Sequence, residues 1–234
     1  SRARAEQYGY RQVVDSRTYL HMRAKLEALK GVRTEQNVAL FENRLEQKKY
    51  RDRAATLFGY SVALTQNNQL DAARKVSNQL LALDPAYLSY HLLAVEIERK
   101  AGNLTRALRH ARAALALAPG HSVAIIYLAE TLLENDRAAD AREMIGSLLR
   151  SDQVDRLPPK AWLVAANAGD ATGRRIESLR MWGKYNYQKG DLETAMHSLR
   201  NAAGTLGINF MDLSALESRM RQIEAEANAL RELL

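Results

Sequence analysis

Residues 104–119 read LTRALRHARAALALAP, and residues 70–85, 34 positions earlier, read LDAARKVSNQLLALDP. Both stretches open on leucine, carry alanine at the fourth position and close on proline. The spacing extends beyond the pair. Ala39, Ala73, Ala107 and Ala141 form a series at the same interval of 34, as do Leu81, Leu115 and Leu149. Asn68, Gly102 and Asp136 each stand five positions before an alanine of the later series. An interval of this length suits a unit of two antiparallel helices. A small residue belongs where the two helices cross most closely, since a larger side chain would push them apart. Asn, Gly or Asp suits the turn between helices because a residue there tends to positive φ. Proline ends the second helix because it cannot continue one.

One such pair cannot bury its apolar face alone, so the unit must recur. With Ala73 as marker, units run over about 54–87, 88–121 and 122–155. Leu57, Tyr60, Ser61 and Leu64 form the inner stripe of the first. Ala94, Ala107, Ala111 and Ala114 serve the second, and Ile125, Leu128, Ala129, Leu132, Ala141, Ile145 and Leu148 the third. Upstream, Ala39 marks a degenerate unit without a terminal proline. Downstream the period slips: Ala195 lies 54 beyond Ala141, with Gly190 again five before it. A shared helix accounts for the slip. Residues 157–169 begin a fourth pair, opened by Pro158 and Pro159 at a tolerated first turn. Residues 173–190 then serve both as its second helix and as the first helix of a fifth pair. In residues 212–234, Leu213, Leu216, Met220, Ile223, Ala227, Leu230 and Leu234 alternate steps of three and four. This seam fits either a coiled-coil dimer or, preferably, a polar-faced helix folded over the last repeat. That helix starts at Ser214, whose spacing to Glu217 is that of a capping box, or at Asp212.

Composition agrees with an all-helical chain. It is 47% apolar and 6% aromatic, with four prolines and twelve glycines in 234 residues. There is no cysteine, which removes disulfides and thiolate sites. No apolar run approaches the ~18 residues of a membrane span. The net charge of +7 is local. Residues 1–53 hold 13 Lys/Arg against 7 Asp/Glu, or +6; residues 54–150 hold 10 against 9, or +1; residues 151–234 hold 11 against 11. A basic quarter admits an anionic partner, but no nucleic-acid reader motif accompanies it, and a solvated or docking face is the plainer reading.

Catalytic signatures are missing from the sequence. No HExxH, GxSxG, Walker loop or GxGxxG occurs, and His21, His91, His110, His121 and His197 show no helical ligand spacing. Glu96/Glu98 and Glu224/Glu226 are two apart on helices, so their carboxylates diverge. Residues 169–175, GDATGRR, follow a helix and are most simply a turn. The chain is expected to hold no cofactor and to catalyse nothing itself.

The 34-residue period, the early alanine and the closing proline resemble the tetratricopeptide repeat. That resemblance implies an all-α solenoid of antiparallel helix pairs with a C-terminal capping helix. It further implies a groove lined by the first helix of each pair: Phe58, Val62 and Gln66; Leu92, Glu96 and Arg99; Ile126, Glu130 and Leu133; Arg180, Lys184 and Tyr187. Such a groove takes an extended segment or a helix of a partner protein. Two further stretches resemble a narrower family. RAEQYGYRQVVDSRTYLHMRAKLEAL in the first quarter and GINFMDLSALESRMRQIEAE near the end are similar to the tail of bacterial periplasmic HExxH zinc metalloproteases of the beta-barrel assembly-enhancing kind. In the second stretch Ser214, Arg219, Met220, Gln222 and Ile223 occupy the family's pattern.

That resemblance divides the chain into 1–53, a junction after a missing peptidase domain plus the degenerate repeat; 54–211, the repeats; and 212–234, the cap. It implies a periplasmic protein whose zinc lies in the peptidase domain, and whose tail holds outer-membrane barrel-assembly machinery or its substrates. The chain opens on SRARAEQYGYRQ and reads as the middle of a longer protein. A free-standing adaptor, cytoplasmic in that case, is the alternative.

Overall fold

The computed structural model describes residues 16–31, 34–152 and 154–232. Among the described residues it is all α, with no strand. The chain divides into two compact units, Ser1–Ala101 and Gly102–Leu234.

The first unit holds α1 (Arg17–Ala28), α2 (Thr34–Glu46), α3 (Arg53–Gln66), α4 (Leu70–Leu83) and α5 (Leu88–Lys100). Ser16 caps α1 by accepting from the Tyr19 N–H, and Asp52 caps α3 by accepting from the Ala55 N–H at 2.7 Å. Helix α3 is the hub: α1, α2 and α4 all rest on it. Its apolar residues therefore surround it rather than line one face. Leu57, Phe58, Val62, Ala63 and Leu64 are all buried. Gly59 completes the hub. A Cβ there would stand 2.6 Å from Cζ of Phe41, so α2 lays a ring directly on the α3 backbone.

The second unit holds α6 (Leu104–Leu117), α7 (Ser122–Glu134), α8 (Ala138–Leu149), a 3-10 turn (Val154–Arg156), α9 (Pro159–Ala171), α10 (Arg175–Gln188), α11 (Leu192–Ala203) and α12 (Phe210–Glu232). Each helix packs on the next through α12. Helix α10 lies against both α9 and α11, as the shared-helix reading requires. Its two contacts run through glycine. A Cβ on Gly169 would meet the Ser178 Cα at 3.1 Å, and one on Gly183 would meet Leu199 Cγ at 2.9 Å. Pro159 stands at the start of α9, with Pro158 as its cap.

The marker residues sort by position. Ala73, Ala107, Ala141 and Ala195 are each fully buried. Ala39 is exposed, and Val38 and Phe41 carry the α2 contact instead. Helix α2 meets α3 through a large ring over a glycine, so no small residue is needed on its side. Leu81, Leu115 and Leu149 are only half-buried; the sealed positions are their neighbours Leu80, Ala114 and Leu148. The turn residues behave as their chemistry demands. Asn68, Gly102 and Asp136 have φ of 59°, 72° and 57°. The left-handed residue lets the next amide reach back to the helix: Gln69 N–H donates to the Leu64 carbonyl and Arg137 N–H to that of Leu132, both at 2.9 Å.

Helix α12 begins earlier than its sequence suggests. Asn209 accepts from the Asp212 N–H at 2.8 Å, which makes it the cap in place of Ser214 or Asp212. Leu216 and Ile223 are buried in a cluster with Met196, Leu199 and Ala202 of α11. The heptad seam is thus spent within the chain, as a cap. The side chain of Leu230 and all of Leu234 lie outside the described residues.

Candidate functional site

Helices α1 and α5 bring a polar knot into the core of the first unit. His21 of α1 is 2% exposed. Its Nδ1 lies 2.7 Å from the Arg17 carbonyl and its Nε2 lies 2.9 Å from the Tyr90 hydroxyl. A carbonyl can only accept, so Nδ1 carries the proton and Nε2 accepts from Tyr90. Arg17 in turn donates to the Tyr90 oxygen at 3.2 Å and to Asp84 at 2.6 Å, with its guanidinium 4.0 Å above the Tyr87 ring. Burial pushes the His21 pKa below its ordinary value, against the opposing pull of its bond to the Arg17 carbonyl and of the Asp52 charge. Burial also raises that of Tyr90, partly offset by the hydrogen bond from Arg17. A buried charge lies nearby in sequence on α5: Glu98, 4% exposed and gripped by Arg74 at 2.7 and 3.2 Å.

The twelve groove positions separate into three groups. Phe58, Val62 and Ile126 are buried, so the structure corrects their placement on an open face. Phe58 stacks its ring 5.3 Å from that of His21 because α3 is enclosed by its neighbours. Gln66, Leu92, Glu96, Arg99 and Leu133 are partly exposed. The remainder are engaged within the second unit. Glu130 pairs with Lys160 at 2.6 Å, and Lys184 lies 4.3 Å over the Trp162 ring. Arg180 donates to Asp212 at 2.8 Å, and the Tyr187 hydroxyl donates to Glu226 at 2.6 Å beneath the Arg219 guanidinium. Arg180 and Tyr187 therefore face α12 and hold it. Their donors and aromatic face suit a partner helix, and here that helix is the chain's own.

Sequence reasoning passed over a cavity of about 260 Å³ beside α1. Leu20, Ala24, Phe41 and Ala55 supply its apolar lining; Arg23, Arg44, Lys49 and Arg51 supply cations; Glu27 and Asp52 supply carboxylates. Arg44 grips both Glu27 oxygens, at 2.8 and 2.7 Å, which holds that carboxyl below its usual pKa. The local excess of basic residues was the available signal.

No group of three or more His, Asp, Glu or Cys is placed to hold a metal ion among the described residues. No helix among them is long and apolar enough to cross a membrane. Glu96 and Glu98 diverge, one partly exposed and one bound to Arg74. The side chains so assembled make helix contacts and ion pairs.

Comparison with known proteins agrees with this geometry. A family model of the tetratricopeptide repeat matches residues 98–158. A thermophilic tetratricopeptide-repeat protein of Thermus thermophilus superposes with a TM-score of 0.59 at 20% identity, covering 78% of this chain and 96% of its own. A tetratricopeptide-repeat protein of Parabacteroides merdae gives 0.54 at 13% identity, with 88% of each chain covered. PilF of Pseudomonas aeruginosa gives 0.53 at 16% identity, covering 85% of this chain and 96% of its own. No curated protein sequence matches significantly.

Proposed function

With an all-α tetratricopeptide-repeat fold as premise, we propose that the chain is a protein-binding module that catalyses nothing itself. The observation that carries this is the half-exposed set on α5, where Leu92, Glu96 and Arg99 present apolar, acidic and basic groups at helical spacing. Such a set recognises a segment of another protein by side-chain chemistry without altering it. Photo-crosslinking in the source cell tests it, with a benzoylphenylalanine placed at Glu96 and, as control, at the exposed Asn78 of α4. Discrete protein adducts at Glu96 that are missing at Asn78 are expected. Identical patterns at the two positions, or none, would overturn the proposal.

We further propose that this module is the tail of a periplasmic zinc metalloprotease that engages outer-membrane barrel-assembly machinery or its substrates. The support is the resemblance carried by residues 4–29 and 207–226 alone, and residues 4–15 lie outside the described ones. Zinc would be held by the peptidase domain. Reading the gene upstream of Ser1 decides: an HExxH segment in frame supports this parentage, and a start codon without one leaves a free-standing adaptor.

A further inference from the structure

Helix α1 has two apolar faces, and among the described residues only one is packed. His21, Ala24 and Ala28 are buried in the first unit. Tyr19, Met22, Leu26 and Leu29 are 52%, 52%, 63% and 44% exposed. At 3.6 residues per turn these four fall within an arc of about 80°, opposite the buried face. The steps of three, four and three are those of a helix-packing seam, with a length of about 15 Å.

The charge beside the stripe has one sign. Arg23 flanks it on one side, Lys25 on the other, and Lys30 stands at its end. None of the three forms an ion pair with a described residue. The acid on this helix, Glu27, is already neutralised by both arms of Arg44. Past Arg23, on the side of α1 turned away from the stripe, lies the 260 Å³ cavity with its mixed lining of apolar groups, cations and the Glu27 and Asp52 carboxylates. The other conspicuous apolar group, Leu206, Phe210 and Met211, has mixed charge nearby, Arg175 and Arg200 together with Asp212, and selects no partner.

We propose that the outer face of α1 docks an acidic amphipathic helix of another protein. Its apolar seam lies along Tyr19, Met22, Leu26 and Leu29, and its flanking carboxylates meet Arg23, Lys25 and Lys30. A second copy of this chain is disfavoured because a two-fold contact through this face would set the same cations against one another. The proposal rests on the protein-binding reading above and names a surface and a partner class for it.

The test uses the full chain and two synthetic helical peptides with one leucine seam, flanked by glutamate in one and by lysine in the other. Fluorescence anisotropy is expected to show binding of the glutamate peptide at least tenfold tighter than the lysine peptide. The exposed double variant Met22→Ser/Leu26→Ser loses that binding at least tenfold with an unchanged melting temperature. Lys25→Glu/Lys30→Glu inverts the preference between peptides. Equal binding of the two peptides, or variants that bind like the wild type, overturns the proposal. So does a dimer in sedimentation that Leu26→Ser dissociates, which assigns the face to a second copy. Leu26-dependent binding to phosphatidylglycerol vesicles without peptide binding assigns it to a membrane and overturns it equally. Adducts at Glu96 together with no peptide binding would sink the α1 surface alone and leave the protein-binding reading standing.

Discussion

The Tyr90 hydroxyl donates to Nε2 of His21 across 2.9 Å and 69 positions of chain, joining the first helix to the fifth. Only neutral imidazole can accept there. A protonated ring would turn a second donor onto an oxygen that already accepts from Arg17 and displace the Tyr90 proton. The folded-state pKa of His21 is lowered from 6.5, chiefly by burial, with the bond to the Arg17 carbonyl and the charge of Asp52 opposing and that of Arg17 assisting. Below about pH 6.5 the unfolded chain therefore binds the proton first. Stability should be flat from His21 above that pH, fall as pH drops below it, and level off once the folded form is protonated too. Urea melts between pH 5 and 8 should show this fall, and His21→Phe should remove it, at a cost of about 1 kcal/mol for the lost bond.

Glu98 is sealed in the first unit, and Arg74 meets it with a side chain that is 20% exposed. Arg74→Met should cost about 3 kcal/mol because the carboxylate stays buried while losing its bidentate partner. Arg74→Met/Glu98→Leu should recover most of that loss. Chemical denaturation of the two variants and the wild type measures both effects.

Two helix-interior glycines should respond with opposite signs to alanine. At Gly146 a Cβ meets only the far end of Arg150, at 3.1 Å, and Gly146→Ala should stabilise by up to about 1 kcal/mol through helix propensity. At Gly169 it meets the Ser178 backbone, which cannot move aside, so Gly169→Ala should cost about 1–2 kcal/mol. Thermal melts of the pair decide; a stabilised Gly169→Ala would contradict the close approach of α9 and α10.

The cap helix should loosen without the module unfolding. Arg180 and Asp212 are 39% and 37% exposed, so their pair contributes no more than about 1 kcal/mol. Arg180→Glu should speed amide exchange in residues 210–226 and leave that of α7 and α8 unchanged. Tyr187→Ala should do more than Tyr187→Phe, which keeps the ring beneath Arg219.

What could be read in advance depended on periodicity. The buried alanines at 73, 107 and 141 and the turns at Asn68, Gly102 and Asp136 follow from a repeat, because each copy solves the same steric problem. Ala39 kept the interval and not the environment. Phe41 had taken its place against Gly59, and an aromatic on bare backbone leaves no periodic trace. The groove positions inherited their roles from resemblance, which fixes a helix face but not its neighbours. Phe58 was lost to the core because α1 adds a wall, and Arg180 and Tyr187 to α12 because the chain folds back. The His21 network joins positions too far apart in sequence for any motif to show.

Helix α10 belongs to two pairs at once, through Gly169 on one side and Gly183 on the other. A unit such as residues 88–121 can be duplicated or deleted as a cassette of 34 codons, since it closes on LALAP as the unit before it closes on LALDP. No such cassette can be cut from α9–α11. Removing either pair would take the helix that completes the other. Growth of this chain by copying is therefore open upstream of α9, and from there onward three helices must be inherited together.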